Sequence, residues 1–146
     1  MKLSKNFTLN EFVRSATAKR YKIDNTPSAI HIKRLTTLVL EVLQPARDHF
    51  ETMYEDSYMK INSGYRCKKL SKKVGSSTRS FHYFGYAADV ELWIKKDGIF
   101  IECNKELHDY IKDYLPFTEL INEYNYSWVH VAYNPEDSRK MVKVIT

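Results

Sequence analysis

The amino-acid sequence predicts an α+β domain in which N-terminal helices pack on a small antiparallel β-sheet. Helical patterns fill the first third of the chain, strand patterns dominate the remainder, and further helices fall between those strands. The 146 residues suffice for a core, and no repeat or Gly/Ser/Pro-rich linker divides them. We therefore expect one domain over residues 1–146, with a helical part at 1–56 and a sheet part at 57–146.

Two helix-start signals define the helical part. Thr8 and Glu11 have the spacing of a capping box, in which each residue satisfies the other's end of the helix. Thr26 and Pro27 are the expected N-cap and first position of a longer helix. Pro45 removes one backbone donor inside this helix, so we expect a kink there. The apolar face of the helix consists of Leu35, Leu38, Val39, Val42, Leu43, Ala46 and Phe50.

The sheet part alternates strands with helices. The predicted strands are 58–63, 87–93, 118–122 and 128–133, and the predicted helices are 67–74 and 104–114. Gly64 ends the first strand and Gly75 ends the short basic helix. A polar loop at 76–80 follows that helix, and the sequence Lys96-Asp97-Gly98 predicts a turn after the second strand.

The net charge of +5 is unevenly distributed along the chain. No acidic residue occurs between Ser57 and Ala88. Seven basic residues fall in that interval: Lys60, Arg66, Lys68, Lys69, Lys72, Lys73 and Arg79. Such a patch attracts a polyanion, for example nucleic acid or an anionic bacterial wall. A solvated helix face is nevertheless the commoner cause of a charge run.

Neither the N-terminus nor any internal segment predicts a membrane or secretion signal. No apolar run is long enough for a membrane span, and the first residues contain two lysines without a following apolar region. We expect residence in the cytoplasm, or release by a route other than general secretion. Cys67 and Cys103 are accordingly expected to be reduced thiols.

Two polar residues interrupt strands that are otherwise typical of a protein core. Asp89 and His130 each lie among apolar neighbours, where an uncompensated charge or polar group is costly. His82 precedes Asp89 by seven residues, and small residues between them allow the chain to fold back. Two nitrogen ligands and one carboxylate leave a fourth position open, as in a catalytic zinc site. The other histidines have no metal-binding spacing and are expected to face solvent: His31, His49 and His108.

A set of motifs in the same order extends over most of the chain. They are Asn62-Ser63-Gly64-Tyr65-Arg66, Ser80-x-His82 with Asp89 seven residues later, and Trp128-x-His130, preceded by the segments 6–12 and 23–27. Together they resemble the D-alanyl-D-alanine carboxypeptidase (M15-type) family of zinc peptidases, especially its small phage endolysin and prophage members. The resemblance implies that His82, Asp89 and His130 bind Zn²⁺. It also implies a fold similar to that of these peptidases and, more distantly, of the hedgehog zinc domain.

The resemblance leaves two candidates for the general base. Some relatives have an acidic residue three positions before the last histidine, where this chain has Ser127. Glu123 ends a strand similar to one in the hedgehog zinc domain, and it is the expected base for the attacking water. Glu119 is the alternative, although it could simply face solvent.

The expected activity is zinc-dependent hydrolysis of peptide bonds in peptidoglycan stem peptides, by a carboxypeptidase or an endolysin-type endopeptidase. Arg66 is expected to bind a substrate carboxylate or stabilise a developing oxyanion, with Ser80 and Trp128 as further substrate-binding residues. Peptidoglycan peptides are the expected partners of a monomer that has no specific nucleic-acid ligand. A phage lysin would occupy the host cytoplasm before its release to the wall.

Two other functions stay open. A zinc-binding module of the same fold without catalysis, such as a phage particle component, is compatible with Ser127 in place of an acid. A basic nucleic-acid binder would rest on the charge patch alone and would leave Asp89 and His130 unexplained.

Overall fold

A computed structural model describes residues 1–146, and the predicted α+β class is confirmed. Residues Val39–Leu43 form a π-helical segment. No helix has the length and apolar character needed to cross a membrane. The elements in chain order are α1 (Leu9–Val13), α2 (Ala16–Arg20), α3 (Ala29–Leu38), α4 (Gln44–Met53), β1 (Asp56–Ser63), α5 (Lys68–Lys73), α6 (Phe81–Phe84), β2 (Ala87–Lys96), β3 (Ile99–Glu102), α7 (Asn104–Tyr114), β4 (Glu119–Glu123), β5 (Trp128–Ala132) and β6 (Met141–Ile145).

The six strands form one mixed sheet in the order β1-β2-β5-β4-β6, and β3 pairs with the second half of β2. The predicted antiparallel pairing is present among β1 to β5, whereas the unpredicted strand β6 runs parallel to β4. The register explains this direction. Both Ala132, at the end of β5, and Met141, at the start of β6, pair with Glu119 at the start of β4. The loop 133–140 therefore stays at the end of the sheet where β4 begins and crosses from one side of β4 to the other.

The two faces of the sheet differ in character because side chains alternate along each strand. One face is apolar and packs against the helices, with Val90, Leu92, Leu120, Val129 and Val131 in the main core. The other, the polar face, contains Asp89 and His130, which are directly paired, and Glu119, which pairs with Ala132 two residues after His130. The fold thus places these three ionisable residues on the side of the sheet away from the core.

The residues at which α1 and α3 begin are explained by local hydrogen bonds. Thr8 and Glu11 form the predicted capping box, with the Thr8 N–H donating to Glu11 Oε2 over 3.1 Å. The predicted start at Thr26 is wrong, since Ser28 is the N-cap of α3. Thr26 instead donates through its N–H and hydroxyl to Asp24 Oδ1, at 3.0 and 2.6 Å. Thr26 thus belongs to a local side-chain turn that precedes the helix by two residues.

Pro45 is accommodated by a widened helical turn. It is the second residue of α4 and has no N–H to donate to the carbonyl four residues earlier. Just upstream, the Gln44 N–H donates to the Val39 carbonyl, which is the spacing of a π-helix. The apolar stripe of the predicted long helix therefore continues into α4 through this π segment.

Several local features differ from the sequence-based expectation. The short helices α2 and α6 and the strands β3 and β6 were not predicted, and His82 lies in α6. His108 was expected to face solvent, but it is buried on α7, with only 5% of its surface exposed. Its ring contacts Tyr126 edge-on, which gives this histidine a packing role in the core.

Gly64 lies at the closest approach of β1 to α1. A Cβ atom on this residue would lie 2.4 Å from the Phe12 carbonyl oxygen and 2.8 Å from its Cα. The neighbouring Tyr65 N–H donates to the same oxygen over 2.8 Å. Because these contacts involve backbone atoms, no side-chain rotation can make room for a larger residue.

We expect Gly64→Ala to lower the free energy of unfolding by about 2–3 kcal/mol, the upper part of the usual cost of overpacking. Urea denaturation followed by circular dichroism measures this change. Gly75→Ala is the matched control, since nothing lies within 4 Å of its added carbon and only its φ of +76° is unfavourable. That conformation should cost about 1 kcal/mol. Equal losses in the two variants would contradict the steric explanation.

Candidate metal centre

Three metal-binding side chains meet on the polar face of the sheet. Asp89 and His130 are directly paired residues of β2 and β5, and His82 approaches from α6. His82 Nε2 lies 3.2 Å and His130 Nδ1 lies 3.0 Å from Asp89 Oδ1. All three residues are buried, and their candidate ligand atoms lie within 4.8 Å of one another. The structure thus brings together the three residues that the sequence singled out.

The spacing of these donor atoms fits a zinc ion. Zinc bonds of about 2.0–2.2 Å at tetrahedral angles place neighbouring ligand atoms about 3.3–3.6 Å apart. The distances of 3.0 and 3.2 Å to Asp89 Oδ1 are slightly shorter, so a small outward shift of the side chains would accommodate the ion. Two imidazoles and one carboxylate are also a donor set that zinc prefers at catalytic sites.

The second nitrogen of His82 is fixed by a backbone carbonyl. His82 Nδ1 lies 2.7 Å from the Gly64 oxygen, which can only accept a hydrogen bond. The proton is therefore on Nδ1, and Nε2 presents its lone pair on the side of Asp89. Ser80 caps α6, and its Oγ accepts from the His82 N–H over 3.2 Å. Ser80 thus acts on the position of His82 through the helix backbone.

The second nitrogen of His130 is held by a carboxylate. His130 Nε2 lies 2.8 Å from Glu119 Oε1, and Lys143 Nζ on β6 lies 2.7 Å from Glu119 Oε2. The hydrogen bond from His130, supported by Lys143, lowers the pKa of Glu119 to about 2 despite its partial burial. Glu119 is therefore an ionised acceptor that fixes the orientation of His130. It does not face solvent, contrary to one sequence-based possibility.

The electrostatics of the centre favour a cation. Burial on its own would raise the pKa of Asp89, but the adjacent His82 and His130 hold it below its ordinary range. Burial lowers the pKa of His82. Burial also opposes protonation of His130, yet hydrogen bonds to Asp89 and Glu119 raise its pKa to about 9. Without a metal, a proton on His130 supplies the positive charge that the two carboxylates require.

Arg66 lies at the edge of the centre. Its terminal nitrogen Nη2 is 3.7 Å from Asp89 Oδ2, and its Nε donates to Ser63 Oγ over 3.1 Å. Burial lowers the pKa of Arg66, while the nearby carboxylates of Asp89 and Glu123 act in the opposite direction. The ion pair with Asp89 places the guanidinium beside the metal-binding group.

The segment that contains Arg66 is held by a buried asparagine. Asn25 Nδ2 donates to the carbonyls of Val13 and Tyr65, each over 2.9 Å. Its Oδ1 accepts from the Cys67 N–H over 2.8 Å. Asn25 therefore fixes the backbone on both sides of Arg66, a role that the sequence did not indicate. Its place within the family-like segment 23–27 was the only available signal.

Glu123 and Trp128 face each other across the β4–β5 hairpin. They are paired residues, and Trp128 Nε1 donates to Glu123 Oε2 over 2.9 Å. The loop between them contains three consecutive residues with φ between 52° and 60°: Tyr124, Asn125 and Tyr126. Ser127 Oγ donates to the Tyr124 carbonyl over 2.6 Å, so this hydroxyl stabilises the loop.

The sequence did not identify all residues that shape the centre. The Gly64 carbonyl contacts His82, and Lys143 contacts Glu119. Asn25 contacts the backbone next to Arg66. Gly64 was recognised only as a turn within a motif. Lys143 gave no signal, because nothing in the sequence predicted that β6 would pair with β4.

We expect Glu119→Ala to weaken zinc binding by about 10- to 100-fold, the usual cost of removing a hydrogen-bond partner of a metal-binding histidine. Competition with a chromogenic zinc chelator measures the dissociation constant. Glu119→Gln should retain most of the affinity, because its amide oxygen still accepts from His130 Nε2. Unchanged affinity in the alanine variant would contradict this role.

Comparison with known protein families matches residues 5–132 to a family described as peptidase M15. A search of curated proteins gave no match. The matched range includes His82, Asp89, His130, Glu123 and Arg66, whereas β6 and its Lys143 lie beyond it.

Proposed function

Because the chain belongs to the peptidase M15 family, whose members are in general zinc enzymes, we propose that it cleaves peptide bonds in bacterial peptidoglycan stem peptides. The observation that carries the proposal is the buried group of His82, Asp89 and His130, whose donor atoms have zinc-like spacing. Family membership supports a metallopeptidase activity for this chain. The stem-peptide substrate is inferred from the motifs shared with small wall peptidases.

We infer that His82 Nε2, Asp89 Oδ1 and His130 Nδ1 would hold the zinc ion. When bound, zinc supplies Lewis-acid chemistry, which polarises a scissile carbonyl and acidifies water. The protein contributes the orientation of the ligands. Gly64 fixes the His82 ring and Glu119 fixes the His130 ring, so His82 Nε2 and His130 Nδ1 face the same place, and His130 would release its Nδ1 proton when an ion binds.

Glu123 is the proposed general base. Its carboxylate would take a proton from the attacking water and deliver it to the leaving amine. The hydrogen bond from Trp128 to Oε2 supports this assignment, because it orients the carboxylate without neutralising it. Glu119 is less suitable, since its two oxygens are occupied by His130 and Lys143.

Arg66 is the proposed binding group for a substrate carboxylate or for the oxyanion of the tetrahedral intermediate. A guanidinium suits both tasks because its donors are charged and arranged in a plane. Its Nε is already occupied by Ser63 Oγ, which fixes its direction. Trp128 is proposed to contact substrate beside Glu123, whereas Ser80 would influence substrate only through His82.

Mass spectrometry of purified peptidoglycan digested by the zinc-loaded protein tests the proposal. Free D-alanine released from stem termini would identify a carboxypeptidase, and the loss of cross-linked fragments would identify an endopeptidase. An unchanged fragment pattern at a high protein-to-wall ratio would contradict the proposal. That result would favour the non-catalytic zinc module.

A further inference from the structure

A cationic surface, here called the α2–α5 patch, lies beside the metal centre. It includes six exposed basic residues on or next to these helices: Arg20, Lys22, Lys68, Lys69, Lys72 and Lys73. None of them forms a salt bridge. Tyr21 joins the two helices, because Lys73 Nζ lies 3.9 Å and Arg20 Cζ lies 5.4 Å from its ring centre.

The patch has almost no compensating negative charge. A depression of about 500 Å³ between the helices is lined by Lys22, Lys68 and Lys69 and contains one acid, Asp24. Hydrogen bonds from Thr26 lower the pKa of Asp24, so it contributes a single negative charge. Six cations held together by the fold repel one another, and a bound polyanion would relieve this repulsion.

A cleft between α2 and α5 extends to Arg66 at the edge of the metal centre. It has a volume of about 270 Å³ and is lined by Thr17, Leu70 and Val74 from the helices and by Ser63 and Arg66. Arg66 lies two residues before α5, and Ser71 Oγ on α5 donates to its carbonyl over 3.4 Å. The patch and the guanidinium of Arg66 are therefore fixed relative to each other.

We propose that the α2–α5 patch binds the phosphate-bearing anionic polymer of the bacterial wall and thereby holds the enzyme beside its peptide substrate. The choice of partner rests on the proposed function. The patch suits a polymer without bases, because its aromatic residue, Tyr21, already has Lys73 over its ring. Proteins that bind single-stranded nucleic acid generally offer open aromatic faces for base stacking.

The test compares two variants that each lose four positive charges. The patch variant is Lys68→Gln, Lys69→Gln, Lys72→Gln and Lys73→Gln. The control variant changes four exposed lysines elsewhere: Lys2, Lys33, Lys96 and Lys112. Each set of changes lowers the formal net charge of the protein by four. Binding to purified walls is measured by co-sedimentation of zinc-loaded protein carrying Glu123→Gln, which keeps the walls intact.

We expect the affinity of the parent protein for walls to fall about 10- to 100-fold between 50 and 200 mM salt, as counterion release predicts for a few phosphate contacts. At low salt the patch variant should bind at least about tenfold more weakly than the control variant. Walls stripped of their phosphate polymer by acid should bind all three proteins equally weakly. With Glu123 intact, the patch variant should hydrolyse a soluble stem peptide at the parent rate.

Three results would overturn the proposal. They are equal wall binding by the patch and control variants, undiminished binding to stripped walls, and tighter binding to duplex DNA than to intact walls at equal phosphate concentration. The last result would identify nucleic acid as the partner. Salt-dependent wall binding without any peptide hydrolysis would support the patch and contradict only the proposed peptidase activity.

Discussion

Asp89→Ala is expected to abolish zinc binding and hydrolysis together. Asp89 Oδ1 lies about one ligand spacing from both His82 Nε2 and His130 Nδ1, so it links the two imidazoles into one site. Its removal leaves the two histidines beside the Arg66 cation without the carboxylate that balances them. Zinc content after dialysis, measured by elemental mass spectrometry, should fall from one ion per chain to none. Hydrolysis should fall by more than the roughly 10²–10⁴-fold effect of losing a general base.

Two further variants distinguish the loss of a metal ligand from the loss of the folded structure. Asp89→Asn keeps the side-chain shape without the charge, and it should keep native circular dichroism while losing most of its zinc. Glu91→Ala removes another carboxylate from the same strand, which contacts Asn62, Trp93 and Lys60. It should retain zinc. A full complement of zinc in Asp89→Ala would contradict the assignment of this residue as a ligand.

Glu123→Gln should lower kcat by about 10²–10⁴-fold and leave zinc binding unchanged. The amide still accepts the hydrogen bond from Trp128 Nε1, so the geometry of the hairpin is retained while the ability to accept a proton is lost. Rates on a soluble stem peptide and the zinc content of the same preparation measure the two effects. A variant that binds zinc and keeps full activity would exclude Glu123 as the base.

Glu119→Gln is the matched control for that experiment. Both changes convert a β4 glutamate into its amide, but Glu119 contacts the far nitrogen of His130 rather than Trp128. A much smaller loss of kcat in Glu119→Gln is therefore expected. A larger loss than in Glu123→Gln would reverse the two assignments.

Local sequence patterns were sufficient to predict elements whose hydrogen bonds join residues close in sequence. The capping box at Thr8, the turn at Asp97-Gly98 and the helix Asn104–Tyr114 all depend on residues close in sequence, and each is present. The proximity of Asp89 and His130 was also predictable, because a polar residue in a core-like strand requires a compensating partner. Their direct pairing across β2 and β5 provides it.

Features determined by distant parts of the chain were not predictable from local patterns. Lys143 reaches Glu119 only because β6 pairs in parallel with β4. Asn25 looks like a loop residue, yet its amide is buried between two backbone segments. In each case the side chain could form hydrogen bonds with several groups, and tertiary packing determines which of them it contacts.

The pairing of Asp89 with His130 also determines when a metal can enter during folding. The two residues are 41 positions apart, and their strands must already be paired before the ligand atoms meet. Zinc therefore encounters a chain whose central strands are already formed and cannot nucleate them. The refolding rate should be independent of zinc concentration, while the unfolding rate should decrease as zinc is added. Metal loss would then shorten the lifetime of the native state without hindering its formation.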